Sequence, residues 1–185
     1  MAFTVRETAR DDWHELRELR LAALLDPVAP VAFYEPYADA LLLPRADWED
    51  RAAPRPDRTT FVGGPGEGPW AGMLVVFRRT DFVQVAGVYV LPAHRGTGLA
   101  RQLMRAAISW AGDCEVRLHV HENNRRAARF YTALGFLPTG AAEADPLDPA
   151  LRAYELALRP ESRTRGERRP RKNARGKATR SEERQ

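Results

Sequence analysis

Val88-Tyr89-Val90-Leu91-Pro92-Ala93-His94-Arg95-Gly96-Thr97-Gly98-Leu99-Ala100 decides how the rest of this chain is read. An apolar, β-branched run ends at a proline, a glycine turn follows, and a helical pattern begins after it. Pro92 has no N–H to give to a ladder, so it stops the strand. Gly96 and Gly98 let backbone N–H groups approach a ligand with no Cβ in the way. The helix that follows directs the positive end of its dipole at the same spot. Strand, turn and helix N-terminus together make a cradle for a phosphate or pyrophosphate. Taken alone, a Gly-x-Gly turn is equally well an ordinary connection. The third glycine of the dinucleotide-binding fingerprint is missing, and so is the Lys-Ser/Thr pair of a P-loop.

Arg95-Gly96-Thr97-Gly98-Leu99-Ala100 resembles the R/Q-x-x-G-x-G/A signature of the GNAT N-acetyltransferases. Downstream, Asn124-Arg125-Arg126-Ala127, Phe130-Tyr131 and Leu134-Gly135-Phe136 resemble the family's N-x-x-A-x-x-x-Y-x-x-x-G-F segment. The specific motifs lie within residues 84–136, and the layout resembles the family over about residues 3–158. The resemblance implies an α/β (α+β) fold. Its sheet is mixed and mostly antiparallel, with a splay between two central strands and helices on both faces. It implies that Arg95, Gly96, Thr97, Gly98, Leu99 and Ala100 bind the pyrophosphate of acetyl-CoA. Backbone N–H groups of Val88, Tyr89 and Val90 would hold the thioester carbonyl. Asn124, Ala127 and Tyr131 would close the cofactor site, with Tyr131 as general acid for the leaving thiolate. Many relatives carry a glutamate where Gln84 stands, and an amide is not a general base. A branch of the family that acetylates a ribosomal-protein alanine has a glutamate five residues before the motif asparagine. Here that position is His119, whose imidazole, with a reference pKa of about 6.5, suits proton abstraction near neutrality. A strand histidine bonded into the structure is the alternative.

The 185 residues suffice for one domain with a proper core, and 44% hydrophobic content is ordinary for a soluble globule. No apolar run has the length of a membrane span, and no signal-peptide pattern opens the chain, which together read as cytoplasmic. Cys114 is the only cysteine, so no intramolecular disulfide forms, and it reads as a small semi-buried residue. His119 and His121 share one face of a strand, but two ligands are too few to expect a metal. The net charge of +4 is uneven. Residues 159–185 hold 11 of the basic and 4 of the acidic residues, leaving residues 1–158 slightly acidic. From Pro160 no apolar residue larger than alanine appears. Such a segment cannot bury enough surface to offset its ordering entropy. The expected organisation is an acetyltransferase domain over 1–159 and a disordered basic tail over 160–185.

Periodicity supplies the other elements. Residues 3–6 read as a strand, followed by a helix capped by Asp11 or Asp12 that ends at Asp26-Pro27. Leu16, Leu19 and Ala23 form its inner stripe. Four prolines cut 27–58 into short pieces, with helices expected over 38–43 and 46–53. Residues 59–62 read as a strand, 63–68 as an exposed glycine-rich hairpin turn, and 70–77 with 82–90 as an antiparallel hairpin interrupted at Gly87. A helix over 98–111, a strand over 115–120 and a helix over 124–134 follow. Phe136 enters another strand, 138–150 reads as a turn-rich excursion, and 153–158 as a last strand.

Three functions fit these features. The first is acetyl transfer from acetyl-CoA to a primary amine of a small molecule or peptide. The second is a non-catalytic acyl-CoA-binding module, which Gln84 favours and Tyr131 opposes. The third is a ribosome- or nucleic-acid-associated protein whose basic tail makes weak phosphate contacts. The expected partners are acetyl-CoA and an unidentified amine acceptor, in a monomer or homodimer without membrane attachment.

Overall fold

The computed structural model describes residues 3–66 and 68–160. The expected tail over 160–185 therefore lies almost wholly outside the described residues. Seven strands form one sheet: β1 (Phe3–Glu7), β2 (Arg58–Pro65), β3 (Gly72–Arg78), β4 (Phe82–Val90), β5 (Glu115–His121), β6 (Leu137–Ala144) and β7 (Arg152–Leu158). Their order is β1-β2-β3-β4-β5-β7-β6, and every neighbouring pair is antiparallel except β4 with β5. The helices are α1 (Trp13–Leu25), α2 (Tyr37–Leu42), α3 (Arg45–Ala52), α4 (Leu99–Ala111) and α5 (Arg125–Ala133).

Alternation along the central strands divides the core in two. Val62, Met73 and Tyr89 point to one face and pack with Leu16, Leu19 and Ala23 of α1 and Trp48 of α3. Leu74, Val76, Val83 and Val85 point to the other and pack with Leu99, Leu103, Met104 and Ala107 of α4 and Tyr131 of α5. The α4 residues recur at helical spacing, so one stripe is buried along its length.

Three expectations change. Gly63 and Gly64 are not in a turn; they are buried strand residues paired with Val5 and Thr4. A Cβ on Gly63 would stand 2.9 Å from Leu99 Cδ1, and one on Gly64 would overlap the Pro69 carbonyl oxygen. Close packing, not turn geometry, explains these glycines. Residues 138–144 continue β6 as an exposed edge strand, with a register shift between Pro138 and Ala142. Every residue of β6 is exposed, so the strand carries no alternation to read. Finally, Asp12 stands at the N-cap position of α1 but turns backward, accepting from Ala9 N at 2.7 Å and pairing with Arg6 at 2.6 Å.

The sheet opens at its middle. β4 pairs with β5 only through Phe82, Val83 and Gln84, opposite Glu115, Val116 and Arg117. On its other side β4 carries a bulge. The register runs from Met73 opposite Tyr89 to Val75 opposite Ala86, leaving one extra residue on β4. Gly87, at φ +63°, supplies the left-handed conformation there. A bulge bends its strand, so residues 85–90 leave β5 and expose one backbone edge.

Candidate active site

Pro92 terminates β4 as the sequence indicates, and a 3-10 turn over Pro92–His94 leads into the glycine turn. Gly96 and Gly98 adopt φ of +79° and +96°, and Gly98 is the N-cap of α4. A Cβ built at either would meet nothing within 4 Å, so this side of the turn is open. The first turn of α4 has no acidic residue to oppose an anion.

A cavity of about 430 Å³ lies against this turn. Val88, Tyr89, Val90, Arg95, Gly96, Gly98, Ala100, Asn124, Ala127 and Tyr131 all line it, which gathers ten of the sequence candidates at one place. Thr97 and Leu99 are not on its wall. Thr97 Oγ1 donates to His94 O at 2.6 Å and closes the turn, and the Leu99 side chain is fully buried in the core. Arg101 and Arg126 also line the cavity.

The Arg95 side chain is bonded into the protein. Its Nε donates to Val90 O at 2.9 Å, and its Nη2 pairs with Asp26 Oδ2 at 2.5 Å. The Tyr89 hydroxyl donates to the same carboxylate at 3.2 Å, and Val28 N donates to Asp26 Oδ1 at 3.0 Å. Asp26, buried at the end of α1, thus ties that helix to the end of β4 and to the turn. Burial alone would raise its carboxyl, but hydrogen bonds from Val28, Arg95 and Tyr89 outweigh it and hold Asp26 below the usual carboxylate range. The Tyr89 phenol is pushed up to about 12 by burial and by the Asp26 charge. A carboxylate depressed in the folded state contributes stability above its unfolded pKa and loses it as pH falls through the folded value. Asp26→Ala is therefore expected to cost about 3 kcal/mol or more at pH 7, because Arg95 is left without its partner. The difference from wild type should shrink on acidification below about pH 4, as urea unfolding at several pH values would measure.

Alternation also sorts the β4 amides. Leu91 N donates to Ala71 O at 2.7 Å, so the Leu91 and Tyr89 amides face β3. Those of Val88 and Val90 face the open side, the side from which Arg95 reaches Val90 O. Of the three residues expected to present an N–H there, Tyr89 does not.

A second cavity, of about 380 Å³, occupies the splay between β4 and β5. It shares Ala32, Val88, Asn124, Ala127 and Tyr131 with the first. Asn124 is structural in detail: its Oδ1 accepts from Ala127 N at 3.1 Å to cap α5, and its Nδ2 donates to Val31 O at 3.2 Å. The Tyr131 ring packs against Phe136 and Phe130 at 5.9 and 5.3 Å between centroids. Burial raises its phenol, and among the described residues nothing hydrogen-bonds its hydroxyl.

His119, His121 and Gln84 line the splay cavity. Both nitrogens of His121 are engaged: Nδ1 accepts from Asn123 N at 3.1 Å, and Nε2 faces the buried Asp145 at 3.4 Å. His119 is freer, with Nε2 standing 3.6 Å from the exposed Glu143, beyond hydrogen-bond distance. Gln84 accepts from Arg79 at 3.0 and 3.2 Å. Among the described residues no group of three or more His, Cys, Asp or Glu is placed to hold a metal ion, and no helix is long and apolar enough to cross a membrane. Arg20 and Glu35 complete the wall and went unnoticed in the sequence, where they are one charge among many.

A model of the GNAT acetyltransferase family matches residues 13–136. The uncharacterized N-acetyltransferase Rv2669 of Mycobacterium tuberculosis is 36% identical over 87 residues, which are 45% of this chain and 56% of that protein. The peptidyl-lysine N-acetyltransferase YjaB of Escherichia coli is 38% identical over 70 residues, 38% of this chain and 46% of its own. The chain thus spans about half the length of the curated relatives it matches. The fold is similar to that of the putative acetyltransferase yncA of Salmonella typhimurium, solved with acetyl-CoA, at a TM-score of 0.66 and 21% identity over 94% of this chain and 99% of that one. With the glycine turn, the bulged and splayed β4 and the match over most of the folded residues, the chain belongs to the GNAT acetyltransferase family.

Proposed function

We propose that the protein transfers the acetyl group of acetyl-CoA to a primary amine of a small molecule or peptide, by direct attack within a ternary complex. The observation that carries this reading is the shared wall of the two cavities. One runs along the glycine turn and the other fills the splay, and Val88 and Tyr131 border both. A donor and an acceptor entering from opposite ends would meet beside a backbone N–H and a phenol.

The residues present fit acetyl-CoA. The turn has open space over Gly96 and Gly98, and Arg101 and Arg126 add positive charge for the phosphates. The free edge of β4 can pair with the amides of the pantetheine arm as another strand would. The thioester supplies an activated acyl group. Val88 N–H stabilises the oxyanion that forms when the amine attacks, and Val90 N–H further along the same edge is left for the pantetheine arm. His119, on the acceptor side, removes the amine proton, and Tyr131 gives its proton to the departing thiolate sulfur. The relative named for peptidyl-lysine acetylation makes a lysine side chain one acceptor to include in assays.

Release of CoA from acetyl-CoA, followed against a panel of amino acids, diamines, aminoglycosides and lysine or N-terminal peptides, tests the proposal. Amine-dependent turnover supports it; tight acetyl-CoA binding with no turnover on any amine would indicate a binding module. His119→Ala is expected to reduce kcat by about a hundredfold with little change in acetyl-CoA affinity. An unchanged kcat would assign proton removal elsewhere.

A further inference from the structure

The splay cavity continues into a third, of about 380 Å³, under α1 and α3. The two share Arg20, Glu35, Ala86 and Gly87. Arg20 therefore stands where the splay cavity meets the third one. Its guanidinium is fixed in two ways: Nε donates to Glu35 Oε2 at 2.9 Å, and the group lies over the Phe33 ring at 4.6 Å. Its two terminal nitrogens have no hydrogen-bond partner among the described residues. Nη1 lies toward Gly87, where a Cβ would come to 3.8 Å of it, so the bulge glycine leaves that approach clear.

The surrounding charge is positive. Glu35 is occupied at both oxygens, by Arg20 on Oε2 and by Arg51 on Oε1 at 2.6 Å. Burial pushes the Glu35 carboxyl up, but the two guanidiniums outweigh it and keep it ionised. Arg58, on the wall of the third cavity, is already paired with Asp50, Nη2 to Oδ2 at 3.0 Å. Its Nε and the indole Nε1 of Trp48 are buried donors without a partner among the described residues. A cationic acceptor would find the Glu35 carboxylate already shared by two guanidiniums. An oxyanion would find a preoriented planar fork with two N–H groups on each terminal nitrogen.

We propose that Arg20 binds a carboxylate of the acceptor, so that the substrate is an amine that also carries a carboxylate. This rests on the acetyl-transfer reading for the place of the amine, which lies in the splay near His119 and Tyr131. Glu35 and Arg51 act as positioning residues, holding the Arg20 fork through its Nε.

The experiment compares α- and ω-amino acids, from glycine to aminohexanoate, each with its own carboxamide. Both kcat/KM and calorimetric binding to the complex with CoA are read. The acids are expected to exceed the amides by about ten- to hundredfold, the size of one lost charge-assisted hydrogen bond. Arg20→Gln should raise KM for the acids far more than for the amides, and Arg20→Lys should restore part of the difference. Retained acetyl-CoA affinity would show that these variants are folded. Equal use of acid and amide, a preference for the amide, or a preference that survives in Arg20→Gln would overturn the proposal. Should neither acid nor amide be acetylated, binding decides: selective binding of the acids upholds the Arg20 site while the transfer reading fails, and absence of such binding overturns it.

Discussion

Tyr131→Phe is expected to lower turnover by about 10²–10⁴-fold while leaving stability and acetyl-CoA affinity close to wild type. The large effect follows from what the hydroxyl does and the small ones from what it does not do. The ring is buried between Phe130 and Phe136, and phenylalanine keeps those contacts. The hydroxyl has no bond to another described residue, so its removal strands no partner. It borders both cavities, where the sulfur of the donor and the amine of the acceptor would converge. Burial raises the phenol above its ordinary value, so it holds its proton through the whole neutral and alkaline assay range. No loss of the acid form is then expected at high pH. Single-turnover measurement of CoA release, where chemistry limits the rate, is the check. A variant within about twofold of wild type would remove Tyr131 from the mechanism.

Gly98→Glu is expected to weaken acetyl-CoA binding by about a hundredfold or more, with Gly98→Ala falling well short of that. Both variants place a Cβ at φ +96°, a backbone region L-residues rarely adopt, so both carry a similar strain of about 1–3 kcal/mol. Neither Cβ strikes protein, since nothing lies within 4 Å of it. The difference between them therefore isolates the side chain that enters the cradle. A carboxylate at the N-terminus of α4 interacts favourably with the helix dipole in the free protein and competes there with a phosphate. Titration calorimetry with acetyl-CoA, together with melting curves of both variants, separates affinity from strain. Equal affinity of the glutamate and alanine variants would move the pyrophosphate away from this turn.

The elements of this fold whose register depends on local chemistry were legible from the residues. Pro92 ends a strand and Gly98 starts a helix by rules that act within a few bonds. The buried stripe of α4 shows as a 3.6-residue period. The Asn124-x-x-Ala127 cap is a contact between neighbours in sequence, at 3.1 Å. Gly87 could be marked as an interruption of β4, because glycine inside a β-branched run is locally costly. Even so, its effect on the β4–β5 pairing required the sheet.

Elsewhere, long-range packing decided. Gly63 and Gly64 resemble a flexible turn in sequence; Leu99 and the Pro69 carbonyl are what make them obligatory in a strand. Asp26 read only as a helix end, until Arg95 and Tyr89, more than sixty residues away, converged on its carboxylate. Two histidines with identical spacing from the sheet edge were separated by their partners: Asn123 and Asp145 engage both nitrogens of His121, and His119 keeps more freedom. Arg20 and Glu35 carry no motif at all, and their place beside Gly87 depends on α1 lying across the sheet. The sequence by itself thus determined the family, the order of the elements and the glycine turn before α4, because these rest on short-range geometry and hydrophobic period. Only the tertiary structure decided which polar side chains are already engaged and which remain open to a ligand, because hydrogen-bond partners, burial and local charge are set by residues distant in the chain.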